Sequence, residues 1–386
     1  MPLFVNYGHT RSGVTLTKQD ESGIYHALLL HGRACRHIDL NLSPSILHKV
    51  FGLLDKQFPI LEHLSLVFST ISENSLLLTL PKAFLAPNLR HLTLPSVSPP
   101  RRLQFLTSTL SLVTLELSHI EASSYFRPRL LVARLQSLPQ LMELSIEFST
   151  PIPRPSTEKE LLGEKRLPVT LPSLKILWFR GVSAYLESFV AQIRVPLLRR
   201  LDITLFNQIA FALPHLSHLI SITQAFKLPS AAVGFFRNAV CVTTLHHGSG
   251  WSERGPFNFR VMCNQLDWQI DCAAQICHAL IHALSDLERL GLIHYHTKIP
   301  TEWQNGAVDS STWHELLRSF IGVKELYIYK ALLEELSHAL QDDEVGLEPG
   351  FLPNLRSIHA SNNQFTAFLD TRTVVGRPVY FSSRWY

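Results

Sequence analysis

Apolar residues recur along this chain in one order: a proline, any residue, a leucine, two residues, a leucine, one residue, and a further apolar residue. The order appears as PILEHLSL from Pro59, PNLRHLTL from Pro87, PQLMELSI from Pro139, PSLKILWF from Pro172 and PLLRRLDI from Pro196. Without the proline it recurs as LVTLEL from Leu112, LERLGL from Leu287 and VKELYI from Val323. A late copy, PNLRSIHA from Pro353, continues to Asn363 and Phe365. If the first leucine is position one, positions four and six stand two apart. On an extended strand they share a side, so each copy predicts a short strand with that side buried. The proline ends a preceding helix and is tolerated where a strand begins. Between the predicted strands, SILHKVFGLL from Ser45 and SAYLESFVAQI from Ser183 have helical character.

A unit of one strand and one helix buries its apolar side only against neighbours, so the copies imply a stack. First leucines at 61, 89, 112, 141, 174 and 198 are 28, 23, 29, 33 and 24 residues apart. Most of these intervals fall in or near the ~20–29 of leucine-rich repeats. The interval of 33 holds PIPRPSTEKELLGEKRLP, residues 151–168, whose prolines and charges predict an exposed loop. Beyond 198 the order wears. LSHL from Leu216, VTTL from Val242 and FNFRVMC from Phe257 read as degraded strands, and the later intervals stretch to 36 and 32. The expected fold is α/β: an irregular leucine-rich-repeat solenoid, a horseshoe of about ten or eleven units with parallel strands on the concave side and helices on the convex side. Its expected divisions are an N-terminal segment at 1–34, regular repeats with the 151–168 insertion at 35–230, and degenerate repeats with a C-terminal cap at 231–386.

Composition adds limits. Of 386 residues, 46% are hydrophobic and 17% charged, which supplies a large core and argues against global disorder. The net charge of +4 is small for a dedicated nucleic-acid binder. Arg101-Arg102, Lys165-Arg166 and Arg199-Arg200 are isolated pairs rather than a stripe interleaved with aromatics, so no nucleic-acid partner is expected. From Ile203 to Phe226 no charged residue occurs, yet Asn207, Gln208, Pro214, His215, His218 and Gln224 would need partners in hydrocarbon, so no membrane span is expected either. The five cysteines (Cys35, Cys241, Cys263, Cys272, Cys277) are unpatterned, and MPLFVNYGH lacks the order of a signal peptide. Reduced thiols in a cytoplasmic or nuclear monomer are the expectation.

Candidate chemistry is thin. CAAQICHALIH, from Cys272 to His282, sets His278 and His282 four apart on one helical face, but a second cysteine pair is lacking and small buried thiols explain the cysteines. His246, His247, His294 and His296 fall on strand or loop segments. GSGW from Gly248 is a glycine turn and not a nucleophile elbow, and no phosphate-cradling glycine motif occurs. Asp342, Asp343 and Glu344 read as a solvated helix end. The expectation is a non-enzyme with no cofactor and no metal.

If positions four and six are buried, positions three, five and seven face the open side of the sheet. They are His63, Ser65 and Val67; His91, Thr93 and Pro95; Thr114, Glu116 and Ser118; Glu143, Ser145 and Glu147; Ile176, Trp178 and Arg180; Arg200, Asp202 and Thr204; and Glu325, Tyr327 and Tyr329. Trp, Tyr and Arg dominate many protein interfaces. Glu143, Glu147, Trp178, Arg180, Arg200, Asp202, Tyr327 and Tyr329 are therefore the candidate protein-binding residues, for a partner whose identity the sequence does not carry. The competing reading is that the chain's own loops cover Trp178 and the two tyrosines.

VSAYLESFVAQIRVPLLRRLDITLFNQ from Val182, AQICHAL from Ala274, WHELLRSFIGVKEL from Trp313 and GRPV from Gly376 resemble the leucine-rich-repeat part of the fungal, mushroom-type F-box family, and the resemblance covers nearly the whole chain. In that family an F-box docks on a Skp-type adaptor of a ubiquitin ligase, and the repeats hold the substrate. The resemblance thus implies a substrate-receptor-like role. LSPSILHKVFGLL, from Leu42 to Leu54, imitates the start of an F-box but lacks its acidic residue and runs into the strand after Leu61; no tryptophan precedes Trp178. PLFVNY from Pro2 looks like the segment that follows the F-box in relatives. Docking on the adaptor is expected only if an F-box is encoded upstream. The alternative is a non-ligase structural scaffold, or a truncated family remnant.

Overall fold

The computed structural model describes residues 2–7, 17–55, 57–68, 84–95, 106, 109–151, 167–206, 211–246, 250–251, 255–263, 266–284, 286–295, 310–340 and 351–383. Arg101-Arg102, Lys165-Arg166, most of the 151–168 insertion, Asn207, His247, His296, Asp342–Glu344 and the side chains of Pro95 and His282 lie outside them. Two compact units divide the chain, Met1–Leu198 and Arg199–Tyr386.

In the first unit, the strands are β1 (Leu3–Tyr7), β2 (Cys35–Leu42), β3 (His63–Phe68), β4 (His91–Pro95), β5 (Thr114–Ile120), β6 (Glu143–Phe148), β7 (Val169–Thr170), β8 (Ile176–Gly181) and β9 (Ile193–Arg194). β1 to β6 and then β8 pair in chain order, all parallel, while β7 and β9 form a separate parallel pair. The helices are α1 (Lys18–His31), α2 (Pro44–Leu53), α3 (Pro128–Leu135) and α4 (Ser183–Val190). α1 begins in a capping box between Thr17 and Asp20, and prolines open α2 and α3, where a missing N–H costs nothing.

Leucine register holds this sheet. Position four of each copy meets position four of the next, in the series Ile38, Leu64, Leu92, Leu115, Leu144 and Leu177, all fully buried. The first leucine has a second role, and the proline a different one from that expected. The amides of Leu61, Leu89, Leu141, Leu174 and Leu198 each donate to the carbonyl three residues back, at Phe58, Ala86, Leu138, Leu171 and Val195. Each copy therefore starts with a β-turn whose second residue is the proline, the position its fixed φ suits. Turns are also tied to one another: the Asn88 amide donates to the Pro59 carbonyl at 2.6 Å, and the Ser173 hydroxyl to the Pro139 carbonyl at 2.7 Å.

In the second unit, the strands are β10 (Arg200–Leu205), β11 (Ser230–Phe236), β12 (Ala239–Leu245), β13 (Phe257–Met262), β14 (Arg289–His294), β15 (Glu325–Ile328), β16 (Ser357–His359) and β17 (Tyr380–Ser382). Their spatial order is β10-β13-β12-β11-β14-β15-β16-β17. The helices are α5 (Pro214–Ile222), α6 (Leu266–Ala279), α7 (Ile281–Leu284), α8 (Ser310–Arg318), α9 (Leu333–Leu340) and α10 (Thr366–Val374). Two expectations are corrected here. The sheet is not parallel throughout, because β12 runs antiparallel to both β11 and β13. Arg237 and Asn238 alone separate β11 from β12, and so short a connection forces a hairpin. LSHL from Leu216 is not a strand but part of α5: Pro214 opens the helix, and Leu216, Leu219 and Ile220 bury one face at helical spacing. The first-leucine turn recurs at Leu287, Val323 and Leu355, and the Asn354 amide donates to the Ile321 carbonyl of the preceding turn at 2.9 Å.

Candidate functional site: the open strand faces of the two units

The strand positions that alternate with the buried leucines line up in rows across the first unit. Position three gives Phe4, His37, His63, His91, Thr114, Glu143 and Ile176 on successive strands. Position five gives Asn6, Asp39, Ser65, Thr93, Glu116, Ser145 and Trp178. In-register parallel strands bring equal positions within contact, so like side chains stack along a row. The His37 and His63 rings are stacked at 4.1 Å, and His91 lies 5.7 Å from His63, its Nδ1 3.2 Å from the Thr114 hydroxyl. Burial and the neighbouring His37 and His91 lower the His63 pKa, while Asp39 opposes the shift. Glu116 is pushed up, chiefly by burial and further by Glu147, although the Thr93 hydroxyl donates to it at 3.4 Å.

The candidates Glu143, Glu147, Trp178 and Arg180 all stand half-buried on this face. β6 and β8 set Glu147 beside Arg180, and their ion pair closes at 2.7 Å. Arg200 and Asp202 belong to the second unit, two apart on β10, where Arg200 Nε donates to Asp202 Oδ2 at 2.7 Å.

An aromatic series marks the open face of the second unit. The Arg260 guanidinium lies 4.7 Å from the Phe236 ring, and Phe236 stacks on Tyr295 at 4.4 Å. The Tyr295 hydroxyl donates to the Trp251 carbonyl at 2.7 Å, and Trp251 packs 4.9 Å from Tyr327. Tyr327 in turn stacks on His359 at 4.3 Å and donates to Glu325 at 2.8 Å. Glycines make room for this layer: a Cβ at Gly291 would lie 2.5 Å from Trp251, and one at Gly234 2.4 Å from Tyr295. Burial raises the phenols of Tyr295 and Tyr327 to about 12, helped at Tyr327 by its bond to Glu325. Tyr327 is thus packed under a loop residue of its own unit, whereas Tyr329 is 36% exposed.

Sequence reasoning passed over His37 and Asp39, because β2 has no proline-leucine lead-in. The signal that finds them is the spacing of Ile38 and Leu40, which falls 26 residues before Leu64 and Leu66. It also passed over Trp251, Tyr295 and Phe236, which the hairpin brings together. At the cysteine-histidine segment, Cys277 is fully buried with its thiol pushed up by burial, while a hydrogen bond with Cys263 lowers Cys272. Among the described residues no three His, Cys, Asp or Glu side chains cluster so as to hold a metal ion. No helix among them is long and apolar enough to cross a membrane.

No protein-family model matches this sequence, and no curated protein matches it. Among solved structures, the leucine-rich repeat-containing protein LegL7 from Legionella pneumophila aligns at 12% identity over 76% of this chain and 84% of that chain, with a TM-score of 0.28. So loose a likeness carries no weight for fold or function, which rest on the strands and rows above.

Proposed function

We propose that the chain is a leucine-rich-repeat protein of solenoid type that recognises a protein partner through its open sheet faces, without catalysis. One observation carries this reading: in successive in-register strands the same positions present half-exposed His, Glu, Trp, Arg and Tyr opposite a sealed leucine face. Repetition of one strand position over many units creates an extended polar and aromatic surface, the kind that repeat proteins use for binding. Some of the charges on it are arranged as pairs, Glu147 with Arg180 and Arg200 with Asp202.

The finer reading, a substrate receptor of the F-box ligase type, depends on an F-box encoded upstream. The F-box-like segment itself supports a repeat role instead: Leu42 ends β2, and Leu47, Val50, Phe51 and Leu54 bury their side chains in the first unit. Affinity capture tests the module. Wild type is expected to retain partners that the double variant Trp178→Ala, Arg180→Ala loses at least tenfold, and identical partner sets from both would remove the first unit's face from the proposal. Co-expression with a Skp-type adaptor tests the finer reading by co-elution.

A further inference from the structure

The most regular feature of the first unit's open face is the histidine row, and nothing in the recognition reading explains its composition. We propose that Phe4, His37, His63 and His91 form a docking surface for an acidic polypeptide segment of a partner protein, bound more tightly as the pH falls. This rests on the recognition-module reading and names the partner's chemistry for one face.

Geometry comes first. His37 and His63 are stacked with their planes 8° apart, so the two rings face each other along the row and it is their edges that are left for a ligand. His91 engages its Nδ1 with the Thr114 hydroxyl, so Nε2 is the ring nitrogen left for a ligand. Three imidazole edges on adjacent strands repeat at the strand spacing, about 4.8 Å. An extended segment laid across them can bring a carboxylate to each. Phe4, 64% exposed and 6.0 Å from His37, adds an apolar end to the row.

Charge decides the sign of the partner. On the side where the strands begin, Arg36 pairs with Glu62 at 3.0 Å, and Arg90 is exposed. On the other side stand Asp39 from β2 and, beyond Thr93, Glu116 from β5; β1 contributes only Phe4 and Asn6. With neutral imidazoles, Asp39 is the charged residue at positions three and five of β1 to β4, a net of −1. With three imidazolium rings the same surface carries +2. The face therefore changes sign by proton uptake, and a protonated imidazole donates a charge-assisted hydrogen bond to a carboxylate. Burial and mutual repulsion hold His63 low in the free protein. An acidic ligand supplies the opposing field, so its binding must draw protons onto the row.

Fluorescence anisotropy of the full chain with a labelled hexaglutamate peptide, at pH 7.5, 6.5 and 5.5, tests this, with hexalysine as the opposite-charge probe. Uptake of one net proton gives about tenfold tighter binding per pH unit. The expected outcome is at least a tenfold gain for hexaglutamate between pH 7.5 and 5.5, absent in the His37→Gln, His63→Gln variant. No gain in wild type, an undiminished gain in the variant, or preference for hexalysine at pH 5.5 would overturn the proposal. Should the double variant fail to fold, proton NMR of wild type replaces it: hexaglutamate must raise the titration midpoints of at least two histidines, and unmoved midpoints refute the row. A partner captured through Trp178 and Arg180 by a protein that ignores hexaglutamate would leave the module standing and discard this inference alone.

Discussion

The two units use one set of rules with different strictness. In the first, every main-sheet strand is parallel and follows its predecessor in chain order. In the second, β11, β12 and β13 lie in reverse spatial order, and β12 runs backwards. Yet β11 is entered as a repeat strand is. The Pro229 carbonyl accepts from Glu288 and Arg289, just as the Glu62 carbonyl accepts from Arg90 and His91. β13 is likewise preceded by a proline, whose carbonyl accepts from Leu201. β12, antiparallel to both neighbours, is foreign to the scheme. The element shared by β11, β13 and the repeat strands is thus the lead-in carbonyl that accepts from the neighbouring strand and sets the register, while the interval between lead-ins is free to vary.

The sharpest way to break the second unit alone is at Gly255, beside the hairpin. A Cβ there would stand 1.4 Å from the Thr244 backbone oxygen, and backbone cannot rotate aside as a side chain does. Gly255→Ala is expected to destabilise the unit by about 4 kcal/mol or more, the range reserved for severe overpacking and lost backbone pairing. Urea unfolding reads the loss, and hydrogen exchange should show it concentrated in residues 230–262. Unchanged stability would mean that β12 and the segment before β13 do not approach as described.

A smaller change should act alike in both units, because it removes a device they share. Asn88→Ala and Asn354→Ala each delete the side-chain bond from one lead-in turn to the preceding one. Both bonds are solvent-exposed, so each substitution is expected to cost about 0.5–1 kcal/mol in urea unfolding. A cost in one unit and none in the other would show that the turn-to-turn bond is not part of the common rule.

That shared device was half legible in the sequence. The Pro-x-Leu order located the strands at His63, His91, Glu143, Ile176 and Arg200, because leucines two apart dictate a buried strand face. The role of the proline in the turn, and of the Asn or Ser after it, was not legible, since each involves a bond to the preceding copy. The hairpin escaped for a local reason: Arg237-Asn238 is not one of the glycine-bearing pairs that announce a two-residue turn. At the candidate site, the Arg200–Asp202 pairing follows from two residues on one strand. Pairing of Glu147 with Arg180 needs the register of β6 on β8, and the packing of Trp251 over Tyr327 needs the hairpin.

Effects as small, but opposite in sign between the units, are expected from two tyrosines that differ in what their hydroxyls meet. Tyr185, in the first unit, is fully buried against Phe148 at 4.8 Å, with Phe179 and Tyr125 near, and its hydroxyl has no hydrogen-bond partner among the described residues. Burial lifts its phenol far above the ordinary range. Tyr295, in the second unit, is only partly buried and donates to the Trp251 carbonyl. A buried hydroxyl without a partner carries its desolvation cost uncompensated, whereas a satisfied one contributes about 1 kcal/mol. Tyr185→Phe keeps every ring contact and removes the cost, so it should leave stability unchanged or raise it by up to about 1 kcal/mol. Tyr295→Phe keeps its stacking on Phe236 and loses the bond, so it should lower stability by about 1 kcal/mol. Thermal unfolding of the pair reads the sign directly. Equal losses in both would mean that the Tyr185 hydroxyl has found a partner, and that the two aromatic clusters are less different than their geometry makes them.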